Sequence, residues 1–276
     1  MSFVKNLISR VAVGVIAIPA IIYISLKGGF PILVFAAILA IVGAVELTRL
    51  LPSLKNTFSM IVLPIASASI IAGIVYRQYA LSGLLMVSVI LLAVIVYSFR
   101  GRIEELKNGI IDIVFGMIYC GLMFSFIPLI SNIQPNGGEW LVSMFIIIWT
   151  ADTAAFFGGK FTGRRKLAPE ISPGKTVEGL LWGFVGALVA AGILGVTILD
   201  GKNLVFTLFI SVVISGMGVC GDLFESSLKR SADVKDSSSL IPGHGGVLDR
   251  FDSVLFAAPT LYLLLQLQVW HGYIRF

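Results

Sequence analysis

The chain has 276 residues, of which 57% are hydrophobic and only 13% are charged. Soluble domains carry about 25% charged residues, so the composition excludes an ordinary soluble domain and predicts an integral membrane protein. The net charge of +5 comes from basic residues that flank apolar stretches and do not gather on one polar face. We therefore expect the lipid bilayer as a partner and no nucleic acid.

Apolar stretches recur along the whole chain, each close to the roughly 20 residues with which a helix crosses a bilayer. This pattern predicts an all-α fold, a polytopic integral membrane helix bundle with about nine transmembrane helices. The predicted spans are residues 11–26, 30–47, 59–76, 83–98, 109–131, 140–158, 178–199, 203–225 and 253–270.

Lysine and arginine residues are distributed unevenly among the connecting segments. The N-terminus and the loops that follow spans two, four, six and eight hold 16 of the 20 basic residues. Because positively charged loops tend to remain in the cytoplasm, we expect the N-terminus to be cytoplasmic and the C-terminus to lie outside. The polar loops 159–177 and 226–252 would then both meet cytosolic solutes.

The N-terminal part of the chain consists of apolar spans and short connectors whose charges do not converge. We predict that residues 1–108 form a scaffold of transmembrane helices, and that residues 109–276 form the catalytic region with both polar loops. Within the scaffold, Glu46 and Arg49 are three residues apart near the end of a span. We expect an ion pair between them.

A carboxylate, Asp152, interrupts the apolar sixth span in the sequence WTADTAAFFGG. A charge at that depth is costly, so it marks a functional site or a hydrated cavity. Pairing with a cation of the following loop is the alternative.

That loop, GGKFTGRRKLAPEISPGKTVEG, combines five cations with glycines and prolines. Ser172, Pro173 and Lys175 in ISPGKT are more specific candidates for a functional site, although GKT lacks the spacing of a Walker loop. Residues 164–166 fit either such a site or an anchor to anionic lipid headgroups. Beyond the loop, Gly179 and Gly183 would allow membrane helices to pack closely.

Two acidic pairs stand at the cytoplasmic ends of the last two spans. In GDLFESSLKR, Asp222 and Glu225 share one helix face with Ser226 and Lys229. In LDRFDS, Asp249 and Asp252 are three residues apart. If these spans pack antiparallel, Asp222 and Asp249 lie at similar depth and could hold a hard divalent cation such as Mg²⁺. Helix N-capping is the alternative for Asp249 or Asp252.

Cations and glycines lie around and between the acidic pairs, as a metal-nucleotide complex requires, because cations offset phosphate charge and glycine amides donate hydrogen bonds. The candidates are Lys229, Arg230, Lys235, His244, Arg250, Gly245 and Gly246. Two roles are compatible with His244: it could transfer a proton, or it could form a hydrogen bond within the loop.

The run SSLKRSADVKDSSSLIPGHGGVLDRFD, residues 226–252, resembles the signature of the phosphatidate cytidylyltransferases, also called CDP-diacylglycerol synthases. The segment from Asp152 through the first polar loop resembles another polar region of that family. It has Phe156 and Val177 where tyrosine and tryptophan are often found. The preceding spans resemble the family only in being hydrophobic.

The resemblance implies that CTP and phosphatidate react to CDP-diacylglycerol and pyrophosphate, with Mg²⁺ as cofactor. On this basis we expect the metal at Asp222, Asp249 and Asp252, with which a second cation is compatible. We expect Lys229, Arg230, Lys235 and Arg250 to bind the triphosphate, and Lys175 with Ser172 to hold the lipid phosphate or the pyrophosphate. Asp152, Ser226, Gly245 and Gly246 complete the expected substrate-binding set.

The compact chain favours a bacterial inner membrane location, and the charge distribution predicts an active site that faces the cytoplasm. The glycine-rich spans are compatible with a homodimer. Two other functions fit part of the pattern. Another CTP-dependent lipid enzyme, such as a polyprenol kinase, has the same electrostatic needs. An ion-coupled transporter would use an intramembrane carboxylate such as Asp152, but charges gathered at one membrane face argue against it.

Overall fold

The structure is a computed structural model that describes residues 2–99, 103–199, 204–238, 240 and 245–270. Helices occupy the positions of all the predicted spans. The first half contains α1 (Ser2–Lys27), α2 (Gly29–Leu50), α3 (Thr57–Val75), α4 (Tyr79–Ser98), α5 (Ile103–Gly116), a π-helical turn (Met117–Leu122) and α6 (Met123–Ser131). The second half contains α7 (Gly137–Thr162), β1 (Lys166–Ala168), β2 (Ser172–Thr176), α8 (Val177–Thr197), α9 (Leu204–Ser231) and α10 (Leu248–Trp270).

These elements confirm the predicted all-α, polytopic membrane protein. In the part of the chain that the structure describes, seven helical segments are long and apolar enough to cross a bilayer. They are α2, α3, α4, the continuous α5–α6 segment, α7, α8 and α9. In α1 the described side chains begin at Gly14, and Gly14–Lys27 is also apolar and helical. The total of nine crossings and the orientation of the termini remain predictions.

The polar segment after α7 contains regular structure that the sequence analysis did not predict. β1 and β2 pair antiparallel, with Lys166 opposite Thr176 and Ala168 opposite Ser172. The carboxylate of Glu178 accepts hydrogen bonds from two backbone amides before β1, those of Arg164 and Arg165. Strands of three and five residues are too short to show a clear alternation of polar and apolar residues.

The helices and strands form two compact units. Unit 1 comprises Met1–Ile24, Gly28–Leu129 and Ser231–Arg250, and unit 2 comprises Ser25–Lys27, Ile130–Arg230 and Phe251–Phe276. Each unit consists of residues that pack against one another. The predicted division into a scaffold and a catalytic region concerns function and remains a prediction.

Unit 1 is built around α3, which packs on α2, on α4 and on the π-helical turn. Polar groups at the turn between α2 and α3 converge on the buried Tyr97 of α4. Its hydroxyl donates to the carbonyl oxygen of Ser53 at 2.8 Å and accepts from the side-chain amide of Asn56 at 2.9 Å. This network satisfies polar groups that would otherwise be buried without partners.

Unit 2 is organised by close packing of α7 along α8. A Cβ atom on Gly179 would lie 2.9 Å from the carbonyl oxygen of Ala155, and one on Gly183 would lie 3.3 Å from that of Ala151. The predicted role of these glycines in helix packing is therefore confirmed. Their small size lets the α8 backbone approach α7, which brings the β-hairpin before α8 close to the end of α7.

Candidate active site

The β-hairpin and the start of α8 position Lys175 in unit 2. Thr176 caps α8, because its hydroxyl oxygen accepts a hydrogen bond from the amide of Gly179 at 3.1 Å. Lys175, the residue before this cap, forms an ion pair with Asp222 of α9, with 2.5 Å between Nζ and Oδ2. Both side chains are only partly exposed, so solvent screens their attraction less than at an open surface.

Asp222 belongs to a group of three carboxylates in unit 2. Its charge interacts with that of Asp152 on α7 and with that of Asp252 on α10, and Asp152 also interacts with Lys175. Ser226, one turn along α9, donates from its hydroxyl to Asp222 Oδ1 at 3.2 Å. The structure therefore brings together Asp152, Lys175, Asp222, Ser226 and Asp252, all of which the sequence analysis had selected.

Close contact of α9 with α10 places Asp252 near Asp222. A Cβ atom on Gly221 would collide with the carbonyl oxygen of Asp252. The rings of Phe224 and Phe256 pack with their centroids 5.6 Å apart. Glycine at position 221 is thus needed for the two acidic helix ends to approach each other.

The donors of this group are hard oxygen atoms, which suit Mg²⁺. Within the part of the chain that the structure describes, no three His, Cys, Asp or Glu side chains converge closely enough to hold a metal ion by themselves. Mg²⁺ commonly uses only one or two carboxylates, with substrate phosphates and water as its other ligands. The carboxylates of unit 2 fit that kind of site.

Beside Asp152, unit 2 has a small pocket between α7, α8 and α9. Its wall is mainly apolar and includes Ile148, Leu180 and Phe184. Charged groups and an apolar surface thus adjoin each other, as an amphiphilic substrate requires.

Asp249, the other predicted metal ligand, belongs to unit 1. Its Oδ2 accepts hydrogen bonds from the amide of Ser237 at 2.9 Å, the hydroxyl of Ser237 at 2.9 Å and the amide of Gly246 at 2.7 Å. The bond from Gly246 runs backward to a residue in the first turn of α10, as in a capping box. Asp249 itself lies within α10, which begins at Leu248, so it is not the N-cap residue. Its predicted part in metal binding remains a prediction.

Two glycines next to Asp249 are required by the local backbone. Gly245 has φ +80°, a conformation that residues with a Cβ atom rarely adopt. Gly246 is buried, and its amide donates to Asp249. Substrate binding by either glycine remains a prediction.

The predicted cations differ in their surroundings. Lys229 is nearly buried and forms an ion pair with the fully buried Glu225 one turn away. Arg230 is exposed and its Nε donates to the carbonyl oxygen of Ile171 at 3.4 Å. Lys235 and Arg250 are exposed. His244 lies outside the described residues, and the assignment of these cations to the triphosphate remains a prediction.

Sequence analysis missed the role of Glu46. The expected surface ion pair with Arg49 does not describe this residue, because Glu46 is 2% exposed and its carboxylate accepts hydrogen bonds from four donors in residues 237–248. Arg49 is exposed. The rule that singled out Asp152, a carboxylate within an apolar span, applies equally to Glu46 and could have found it.

Comparison with known proteins extends the sequence resemblance to nearly the whole chain. The sequence model of the cytidylyltransferase family matches residues 8–268. The phosphatidate cytidylyltransferase of Bacillus subtilis (strain 168) is 35% identical over 265 residues, which cover 94% of this chain and 97% of that protein. The phosphatidate cytidylyltransferases of Staphylococcus haemolyticus (strain JCSC1435) and Staphylococcus aureus (strain COL) are each 32% identical, over 93% of this chain and 98% of their own length. This chain therefore belongs to the cytidylyltransferase family.

Proposed function

We propose that this chain is a phosphatidate cytidylyltransferase, which forms CDP-diacylglycerol and pyrophosphate from CTP and phosphatidate. A phosphate oxygen of phosphatidate forms a bond to the α phosphorus of CTP. The bond from that phosphorus to the oxygen that bridges it to the β phosphorus breaks, and pyrophosphate leaves with the electron pair. Relatives with this activity in their names match the chain over almost its entire length.

The observation that carries the proposal is the placement of a lysine among three carboxylates. Lys175 pairs with Asp222 and interacts with Asp152, and Asp252 adds a further negative charge nearby. Reactions between two phosphates need acidic groups that bind a metal and basic groups that offset phosphate charge. Both kinds of group occur here within one unit.

Asp222 and Asp252 are the residues of unit 2 that would hold Mg²⁺, together with phosphate oxygens of CTP. Bound Mg²⁺ would supply charge neutralisation at the phosphates and align them. Asp249 is a further proposed ligand, and a second cation is compatible with these donors.

The protein side chains have mainly positioning and electrostatic tasks in this reaction. The attacking phosphate oxygen of phosphatidate is already anionic, so no strong general base is required. Lys175 and Ser172 would bind the lipid phosphate or the departing pyrophosphate. Arg230, Lys235 and Arg250 would offset charge on the triphosphate of CTP. Rate enhancement then comes from alignment and from charge neutralisation.

We place the active site at the cytoplasmic face of a bacterial inner membrane, with the N-terminus in the cytoplasm and the C-terminus outside. The distribution of 16 of the 20 basic residues supports this orientation. CTP is a cytosolic solute, and phosphatidate presents its phosphate at the headgroup level. A homodimer remains a prediction.

An assay with purified protein tests the proposed function. The protein is supplied with phosphatidate, Mg²⁺ and CTP labelled in the cytosine ring. We expect label in a lipid product, release of pyrophosphate, and loss of both on addition of a chelator. Free labelled CDP together with a phosphorylated lipid would instead identify a lipid kinase. Ion flux without CTP consumption would identify a transporter.

A further inference from the structure

Glu46 connects the middle of the chain's apolar N-terminal part with the second polar loop, within unit 1. It lies near the end of α2 and is 2% exposed. Its Oε1 accepts from the hydroxyl of Ser238 at 2.6 Å and the amide of Val247 at 2.9 Å. Its Oε2 accepts from the hydroxyl of Ser237 at 3.1 Å and the amide of Leu248 at 2.9 Å.

The four donors explain how a carboxylate can be buried at this position. A buried carboxylate is costly unless hydrogen bonds satisfy both of its oxygens. Two of the donors are amides at the start of α10, where the helix dipole favours a negative charge. Glu46 therefore caps α10 from a different helix, and at the same time it holds the serines that precede the loop's glycines.

The segments held by Glu46 are also the segments that orient Asp249. The carboxylate of Asp249 accepts hydrogen bonds from the amides of Ser237 and Gly246, and it shares the single hydroxyl proton of Ser237 with Glu46. The hydroxyl of Ser237 lies within hydrogen-bond distance of both carboxylates, at 3.1 Å from Glu46 Oε2 and 2.9 Å from Asp249 Oδ2. A change in the position of Glu46 would thus be transmitted to Asp249 through one shared side chain.

The space around Glu46 admits little rearrangement. A Cβ atom on Gly246 would lie 2.5 Å from Glu46 Oε1 and would collide with the hydroxyl of Ser237. The glycine at this position is required because the carboxylate of Glu46 occupies the adjoining volume. Packing and hydrogen bonds therefore both hold the carboxylate of Glu46 in the same position.

We propose that Glu46 is a positioning residue for cytidylyl transfer, which holds residues 237–238 and 246–248 so that the carboxylate of Asp249 keeps the orientation used for the divalent cation. The proposal rests on the proposed function for the reaction and on the geometry of unit 1 for the role of Glu46. Residues that orient ligands from outside the ligand set typically change metal affinity or activity about 10- to 100-fold when replaced.

The test compares Glu46→Gln with the wild type in the full-length purified protein. Glutamine has one acceptor oxygen and places an NH₂ group where the other carboxylate oxygen accepted hydrogen bonds. Thr48→Val is the matched control, because Thr48 is a buried polar residue of the same helix whose hydroxyl donates to the carbonyl oxygen of Val45 within α2. Both variants are first checked for insertion and for thermal stability.

Three measurements separate positioning from a purely structural role. Mn²⁺ binding is followed by electron paramagnetic resonance without substrates, and amide hydrogen exchange is followed for residues 246–248. The Mg²⁺ concentration for half-maximal activity and kcat are measured separately. For Glu46→Gln we expect faster exchange, weaker Mn²⁺ binding and a half-maximal Mg²⁺ concentration raised about 10- to 100-fold. A purely structural defect would lower the amount of active protein and leave that concentration unchanged.

Ser237→Ala and Ser238→Ala provide a second pair, which decides the question if Glu46→Gln does not fold. Ser237 contacts both carboxylates, whereas Ser238 contacts Glu46. We expect Ser237→Ala to weaken Mn²⁺ binding more than Ser238→Ala. Equal, wild-type Mn²⁺ affinity in folded Glu46→Gln and Ser237→Ala would overturn the positioning role, as would a wild-type half-maximal Mg²⁺ concentration in folded Glu46→Gln.

Product formation and Mn²⁺ affinity together distinguish a failure of the role of Glu46 from a failure of the proposed function. If the wild type forms no CDP-diacylglycerol but its Mn²⁺ affinity depends on Glu46, the reaction is wrong and the positioning role stands. If the wild type is active and Glu46→Gln keeps wild-type Mn²⁺ affinity and Mg²⁺ dependence, the positioning role is wrong and the reaction stands.

Discussion

Lys175 and Asp222 form an ion pair, with 2.5 Å between Nζ and Oδ2, although one belongs to a β-hairpin and the other to the end of a membrane helix. The pair joins the first polar segment of the chain to the acidic end of α9. Because Asp222 also interacts with Asp152 and Asp252, Lys175 offsets part of a concentrated negative charge. Binding of a phosphate or a metal would redistribute these contacts.

Replacement of Lys175 by methionine removes this cation and keeps the length of the side chain. We expect turnover to fall about 10²- to 10³-fold, as when one charge-stabilising group is lost from a reaction centre. CDP-diacylglycerol formation by purified protein is the measurement. Lys166→Met is the control, because Lys166 is an exposed residue of the same hairpin that donates to the carbonyl oxygen of Pro173. Near wild-type turnover of Lys175→Met would refute its role at the phosphates.

Replacement of Asp222, Asp249 or Asp252 by asparagine removes a negative charge with little change of shape. We expect each variant to insert normally and to lose cytidylyl transfer at saturating CTP, because the proposed donors of hard, charged oxygen atoms are weakened. Asp233→Asn is the control. Asp233 is exposed and has φ +54°, a conformation that asparagine also tolerates. A normal rate in the Asp222 or Asp249 variant would refute the corresponding metal assignment.

Lys229 and Glu225 allow stability to be separated from catalysis. Lys229→Met deprives the fully buried carboxylate of Glu225 of its ion pair, so we expect a loss of about 3–5 kcal/mol of stability. The double variant Glu225→Gln/Lys229→Met should recover most of it, measured by thermal unfolding in detergent. If Lys229 also binds the triphosphate, the double variant remains inactive. Wild-type turnover of the stable double variant would exclude that role.

Gly246→Ala tests the space beside Glu46. The new methyl group would collide with Ser237 and lie 2.5 Å from Glu46 Oε1. We expect destabilisation of about 1–3 kcal/mol, faster amide exchange at residues 246–248 and a loss of activity. Gly192→Ala is the matched control, because a Cβ atom at that position meets nothing within 4 Å. Wild-type exchange and activity in Gly246→Ala would show that residues 237–248 adapt freely.

Cysteine accessibility tests the proposed orientation. Glu170→Cys in the β-hairpin and Gln78→Cys between α3 and α4 are both exposed, and each is introduced after Cys120 and Cys220 are replaced by alanine. With a membrane-impermeant thiol reagent, we expect Glu170→Cys to react only in inside-out vesicles and Gln78→Cys only in right-side-out vesicles. The reverse pattern would place both polar loops outside, away from CTP.

Part of the site could be predicted from the sequence because its signals are local. Asp152 is a carboxylate inside an apolar span, Asp222 and Ser226 are four residues apart on one helix, and Lys175 follows a proline-glycine turn. The helical positions follow from the length of apolar stretches, because a bilayer requires about 20 apolar residues for each crossing. These features need no knowledge of distant contacts.

Other features depend on contacts between residues far apart in the chain. Glu46 and Leu248 are hydrogen-bonded at 2.9 Å, but neither residue's neighbours in sequence indicate the other. The short strands β1 and β2 were missed because backbone pairing, and not a hydrophobic pattern, defines them. The burial of Lys229 against Glu225 was missed for a similar reason, since spacing alone does not show which helix face is covered.

Hydropathy and charge are properties of each segment alone, so they were enough to predict an all-α membrane protein with two polar segments as its candidate site. The contacts of Glu46 with the start of α10 and of Lys175 with Asp222 are found only in the folded chain. Those relationships arise from packing and from the need to satisfy buried charges. Both depend on which distant parts of the chain share the same space.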